Sequence, residues 1–224
     1  MPVAVPSPLS GALQVIIANR AQDVPKFAID TLREHPVKAN LILPTIEKRL
    51  AQHPSTSTNN SELWIIVHSN YVVNFIASVT QGYMGNYPLF IFTPIPYPYL
   101  LSTNIGPAVT LLAQALMRSV HRTRIYSVFA PQAVAETFAG IWTSLTNIRV
   151  SESYYHAYIS YVTARTFINR EIPAVPGASC ELRPATMGDL NDVGELCYLF
   201  ASDSVCLSLA YLFMYRMLII SCFL

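Results

Sequence analysis

The sequence predicts an α/β protein of the α+β kind, with a mixed, largely antiparallel sheet flanked by helices. Three observations predict it. Helix signals mark stretches near 23–34, 37–52, 107–121 and 131–145, whereas β-branched and aromatic residues crowd Leu63 to His68, Tyr71 to Thr80 and Tyr87 to Thr93. The order is helices, then a run of strands, then helix and strand in alternation, which is a layered α/β arrangement. Between Arg49 and Arg118 there is no Lys or Arg, and Glu62 is the only carboxylate, so that stretch is largely buried.

Each element has its own local reason. Residues 1–11 carry three prolines and read as a loose tail. Leu13 to Ala18 is a short apolar run of strand length. Asp23 with Pro25 suits a helix start, and that helix runs to about Glu34 before His35-Pro36 breaks it. A second helix is expected over 37–52, with Leu41, Ile42, Ile46 and Leu50 on one side; Pro44 makes it kinked or divides it into two pieces. His53 to Ser61 is a Ser/Thr/Asn linker.

Leu63 to His68 and Tyr71 to Thr80 are joined by Ser69-Asn70, which suits a hairpin, and Tyr87 to Thr93 is a third strand. Pro94-Ile95-Pro96-Tyr97-Pro98 reads as a rigid turn. A helix from about Pro107 to His121, a strand Arg124 to Phe129 and a helix from about Pro131 to Leu145 follow, with Asn147 just past the last helix end. Ser153 to Thr166 alternates in places and reads as the last strand.

The final part changes character. Glu181 to Thr186 is a short extended run, and Met187 to Val193 starts a helix with Asp189 placed to cap free amides. Leu190, Val193, Leu196, Cys197 and Phe200 give that helix one apolar face. The organisation is therefore a tail (1–20), a first domain (21–170), a linker (171–180) with Pro173 and Pro176, an incomplete unit (181–204) and an apolar tail (205–224). The first domain has close to the commonest domain size.

The run Leu182-Arg183-Pro184-Ala185-Thr186-Met187-Gly188-Asp189-Leu190, with Leu196 to Ser202 closing its helix, resembles the entry to a GNAT-type N-acetyltransferase domain. Upstream, Tyr87-Pro88-Leu89-Phe90-Ile91-Phe92-Thr93 and Tyr126-Ser127-Val128-Phe129-Ala130 resemble the N-terminal half of certain fungal GNAT-like proteins, in which a degenerate domain precedes the acetyltransferase domain. The resemblance covers most of residues 20–204. It implies a GNAT-like first domain and only the first strand and helix of a second, and the element order is what such a domain would show. It also implies an acetyl-CoA loop of the form (Arg/Gln)-x-x-Gly-x-(Gly/Ala), whose backbone N–H groups and following helix cradle a pyrophosphate. That loop belongs downstream of residue 204. The nearest look-alike, Gln81-Gly82-Tyr83-Met84-Gly85-Asn86, has its glycine one position late and precedes an apolar run; it reads as a plain turn. This chain is accordingly expected to hold no acetyl-CoA and to be inactive, the cofactor belonging to a full-length relative.

Catalytic, cofactor-binding and metal residues are all assigned as none. From Glu62 to Glu171 there are four carboxylates, Glu136 and Glu152 being the others, and none sits in a recognisable acid–base frame. Gly-x-Ser-x-Gly is absent. The five histidines (His35, His53, His68, His121, His156) form no metal-ligand pair, and Cys180, Cys197, Cys206 and Cys222 lack Cys-x-x-Cys spacing. His68 reads as a hairpin-end residue. Tyr154, Tyr155, Tyr158 and Tyr161 read as strand packing. A net charge of +1 offers no field for a polyanion, and the cluster Arg118, His121, Arg122, Arg124 reads as a polar helix end, so no nucleic-acid partner is expected.

Met1 to Ser10 lacks the apolar core of a signal peptide, which with free thiols points to the cytoplasm or nucleus. Val205 to Leu224 supports two readings. Its twenty residues carry one charge, Arg216, and their length suits a C-terminal membrane anchor. Alternatively the family pattern stops at Ser204 and the next codon, for valine, begins with the GT of an intron, so the tail is readthrough. Three functional readings remain: an inactive GNAT-like chain, a non-catalytic binding or regulatory module, and a tail-anchored protein.

Overall fold

The computed structural model describes residues 11–51, 62–82, 85–151, 162, 165–168, 176–177 and 183–204. The chain divides into two units, residues 1–161 and 162–224. The fold is mixed α/β, of the α+β kind. The first unit contains β1 (Leu13–Ala18), α1 (Lys26–Glu34), α2 (Leu43–Ala51), β2 (Leu63–Ser69), β3 (Val72–Val79), β4 (Gln81–Gly82), β5 (Gly85–Asn86), β6 (Leu89–Phe92), α3 (Tyr97–Ser102), α4 (Gly106–Ser119), β7 (Val128–Phe129) and α5 (Gln132–Thr146). A five-stranded sheet has the order β1-β2-β3-β6-β7, and β4 and β5 form a separate two-stranded ribbon. β1, β2, β3 and β6 pair antiparallel in sequence, while β6 and β7 are parallel. The two segments quoted for the upstream resemblance are thus neighbours, with Leu89 opposite Val128 and Phe90 opposite Phe129.

Helices cover both faces. Leu63, Ile65, Val67, Phe75, Ala77, Val79, Leu89 and Ile91 pack with Leu112 and Leu116 of α4 and Val134, Phe138 and Trp142 of α5. Trp64, Ile66, Val73, Ile76 and Phe92 face Ala28 and Leu32 of α1 and Ile46 of α2. Every residue of β2 is therefore buried, which is why its sequence is a continuous apolar run rather than an alternating one. Each fully buried Ile, Leu or Phe contributes roughly 1.5–3 kcal/mol of transfer free energy. A β-bulge shifts the register after Val67: Val67 faces Phe75 and His68 faces Val73, leaving Asn74 as the extra residue. Val73 and Phe75 consequently serve opposite faces in the required order, and Asn74 Nδ2 donates to Ser69 Oγ at 2.9 Å.

Several expected elements change at their edges. β1 falls within residues 1–20, and it forms the sheet's outer strand against β2. The helix expected over 37–52 is in two pieces: hydrogen-bonded turns over 36–42, then α2 from Leu43. Pro44, which has no N–H, sits in the first turn of α2, where no donor is needed. Ile42 and Ile46 are buried as expected, but Leu41 and Leu50 remain exposed. The hairpin turns at Asn70-Tyr71, one residue later than the sequence indicates, with left-handed φ of 48° and 64°. The segment read as a rigid turn at 94–98 enters α3, with Pro96 as N-cap and Pro98 in the first turn.

The strand expected over 124–129 is reduced to Val128–Phe129, since Arg122–Arg124 is a 3-10 turn. The side chain of Arg124 is committed instead to the carbonyls of Thr80 and Tyr87, at 2.7 and 2.9 Å. Gln81-Gly82 and Gly85-Asn86 pair antiparallel as a two-stranded ribbon, and residues 83–84 between them lie outside the described residues. Asn147 caps α5 in the left-handed conformation that asparagine tolerates. The expected last strand, 153–166, lies outside the described residues except 162 and 165–166, the latter two forming a turn.

In the second unit, Met187–Asp189 is a 3-10 turn leading into α6 (Leu190–Ser204). Thr186, not Asp189, is the N-cap residue. Asp189 is the third residue of the turn and reaches back, accepting the Thr186 N–H and hydroxyl, each at 2.7 Å.

Candidate functional site

Parallel strands in an open sheet create a crevice beyond their carboxyl ends, where ligands usually bind. β6 and β7 are the parallel pair, so the connections after Phe92 and Phe129 are the place to look. The first connection is built from acceptors. Pro94, Pro96 and Pro98 contribute carbonyls but no N–H. Thr93 is buried; its hydroxyl donates to the Asn74 carbonyl at 2.8 Å and accepts the Ile95 N–H at 3.2 Å. Lys38 crosses from the turns before α2 and donates to the Pro94 and Ile95 carbonyls at 3.2 and 3.3 Å. Burial pushes the Lys38 ammonium below its ordinary value.

The start of α4 is closed in the same way. The Gly106 N–H donates to Asn104 Oδ1 at 3.1 Å, and Pro107 has none to give. An anion needs several free N–H groups at a helix start. At this helix start the Gly106 N–H is used internally, Pro107 has none, and the Val109 N–H goes to the Ile105 carbonyl. On the second connection, Pro131 caps α5 and Gln132 Nε2 donates to Glu136 Oε1 at 2.8 Å. Glu136 is therefore a helix-surface acceptor rather than half of a carboxylate pair.

The basic cluster divides among backbone carbonyls. Arg118 Nε donates to Gln114 O within the last turns of α4, at 3.2 Å. Arg122 Nη1 donates to Thr146 O at the end of α5, at 3.4 Å. Both fit cations at helix C-termini. Arg124 holds the β4–β5 ribbon through Thr80 O and Tyr87 O, and the Tyr126 hydroxyl adds a bond to Asn86 O at 2.6 Å. Burial pulls the Arg124 guanidinium down, and Tyr126 offsets part of that. His121 turns onto Thr123, with Nδ1 2.8 Å from its hydroxyl.

His68 lies at the hairpin end, as the sequence indicates, and is buried. Glu62 pairs with Arg49 of α2 and is mostly buried. In the second unit, Arg183 forms a two-pronged bond to Asp189, at 2.8 and 2.7 Å. That hydrogen bond, with the Thr186 donors, holds the Asp189 carboxyl well below the usual carboxylate range, and raises Arg183. On α6, Leu196 and Leu199 are 66 and 48 % exposed, and Cys197 is exposed. Glu152, Glu171, Cys180, Cys206, Cys222, His53, His156, Tyr154, Tyr155, Tyr158 and Tyr161 lie outside the described residues.

Local pattern does not mark Lys38 as a partner of the proline connection, because the contact spans 56 residues. The connection's poverty in N–H groups was visible, since Pro94, Pro96 and Pro98 alternate. Among the described residues no group of three or more His, Cys, Asp or Glu could hold a metal, and no helix is long and apolar enough to cross a membrane. The tail 205–224 lies outside them. No family model, curated protein or solved structure matches the chain.

Proposed function

We propose that this chain is a GNAT-like relative of the acyl-CoA-dependent N-acetyltransferases whose first unit has lost the cofactor cradle, so that it neither binds acetyl-CoA nor transfers an acetyl group. The observation that carries the reading is the strand-to-helix connection after β6. Element order supports the family part: one strand, two helices, three antiparallel sheet strands, then a helical crossover to a parallel strand and a further helix. The entry motif supports it as well, because its arginine and aspartate lock one turn onto the start of α6. The connection supports the loss of function. A pyrophosphate needs converging N–H donors, and residues 93–107 present prolines, bonded carbonyls and the Lys38 clamp instead.

Calorimetry with acetyl-CoA, alongside thiol release with amine acceptors, tests the loss. The expected outcome is no saturable heat and no thiol release; saturable binding overturns it. Family membership is tested separately by sequencing transcripts across the Ser204–Val205 junction. An in-frame form reaching (Arg/Gln)-x-x-Gly-x-(Gly/Ala) is expected, and a transcript set without one counts against the family.

A binding or regulatory module is the second reading. It is favoured by the exposed apolar side chains of α6, Leu196 and Leu199, since such surface marks interaction sites.

A further inference from the structure

We infer that the β2–β3 hairpin tip is an acid-released latch, with neutral His68 as the part that fastens it to α1. The inference is independent of the acetyltransferase reading. It starts from the turn: Asn70 and Tyr71 both have left-handed φ, which a tyrosine adopts only when its surroundings hold it. What holds it is His68. Its Nδ1 accepts the Tyr71 N–H at 3.3 Å, which places the ring proton on Nε2. The imidazole stacks on the Tyr71 ring at 5.9 Å, with 17° between planes. Phe27 of α1 closes the cluster edge-on to both rings, 5.2 Å from His68 and 5.6 Å from Tyr71.

Protonation reverses the sense of this contact. Nδ1–H would confront the Tyr71 N–H, donor against donor, and a charge would sit in a residue only 2 % exposed. Among the described residues nothing nearby neutralises it. α1 presents Phe27, and its charged neighbours Lys26 and Asp30 pair with each other on the surface at 2.6 Å. β1 presents Gln14 and β3 presents Val73 at the facing positions. Tyr71 presents its ring and its backbone N–H to the imidazole. Among the described residues no carboxylate forms an ion pair with His68. Cation–π attraction to Tyr71 works against release, but that ring is 73 % exposed and water weakens the attraction.

The sign follows. Burial lowers the His68 pKa from the ordinary value near 6.5. The latch is thus fully fastened above that value and loosens as pH falls below it.

The test uses the full chain. Amide exchange at Tyr71 to Val73, corrected for intrinsic rates, is compared between about pH 7.5 and about pH 5, with the His68 ring followed by NMR. The expected result is a ring midpoint below about 6.5 and a several-fold loss of protection on acidification. His68→Gln retains an acceptor without titrating, so its protection should not change with pH. A ring midpoint at or above the ordinary value, unchanged wild-type protection, or an equal acid loss in H68Q would each overturn the latch.

Discussion

Asp189 shows how much one carboxylate can organise. It accepts from Arg183 through both oxygens and from the Thr186 N–H and hydroxyl. These donors favour its charged form, so its folded pKa is depressed. The contribution to the start of α6 is therefore complete above the ordinary carboxylate pKa and lost only as pH falls below it. In a carbon-detected titration the Asp189 midpoint should lie well under the ordinary carboxylate value. Arg183→Gln should move it upward toward that value. An unshifted midpoint in the parent chain would contradict the fork. The aspartate was legible in sequence as a capping residue, because caps act within one helical turn. The fork to Arg183 was not, since nothing in the spacing required the arginine to fold back.

At the scale of elements, propensity and punctuation did most of the work. α5 runs from Gln132 to Thr146 between Pro131 and a left-handed Asn147, both visible in the sequence. Gly140 is the weak point of that helix. A Cβ built there meets nothing within 4 Å, and no positive φ requires glycine. Gly140→Ala should therefore stabilise the first unit by roughly 0.5–1 kcal/mol, because alanine loses less backbone entropy. Urea unfolding would show it as a higher midpoint with the same slope; a lower midpoint would mean that something packs against this face. Boundaries were less legible than elements. Pro44, expected to kink or divide a helix, sits in the first turn of its second piece, while Pro96 and Pro98, expected in a rigid turn, start a helix. In each case proline at a helix start and proline between elements look alike locally.

For the whole first unit, stability rests on two cores separated by one sheet. Phe138 is 1 % exposed, stacks on Trp142 within α5 at 5.5 Å, and shares a core cluster with Ile65 and Phe75 of the sheet, so it ties α5 to the sheet. Phe138→Ala should cost about 3–5 kcal/mol, and Phe138→Leu less than about 1.5. An alanine variant within about 1 kcal/mol of the parent would exclude Phe138 from the cooperative core. The sequence by itself determined helix α5, the strands β2, β3 and β6, and that the middle of the chain is buried. Those signals reside in a few neighbouring residues. Only the tertiary structure decided that β2 is covered on both faces, that β6 and β7 run parallel, that Lys38 clamps the proline connection, and that His68 is enclosed between Phe27 and Tyr71. Each of these needs residues far apart in the chain to meet, and chain closure fixes such partners only when both cores form together.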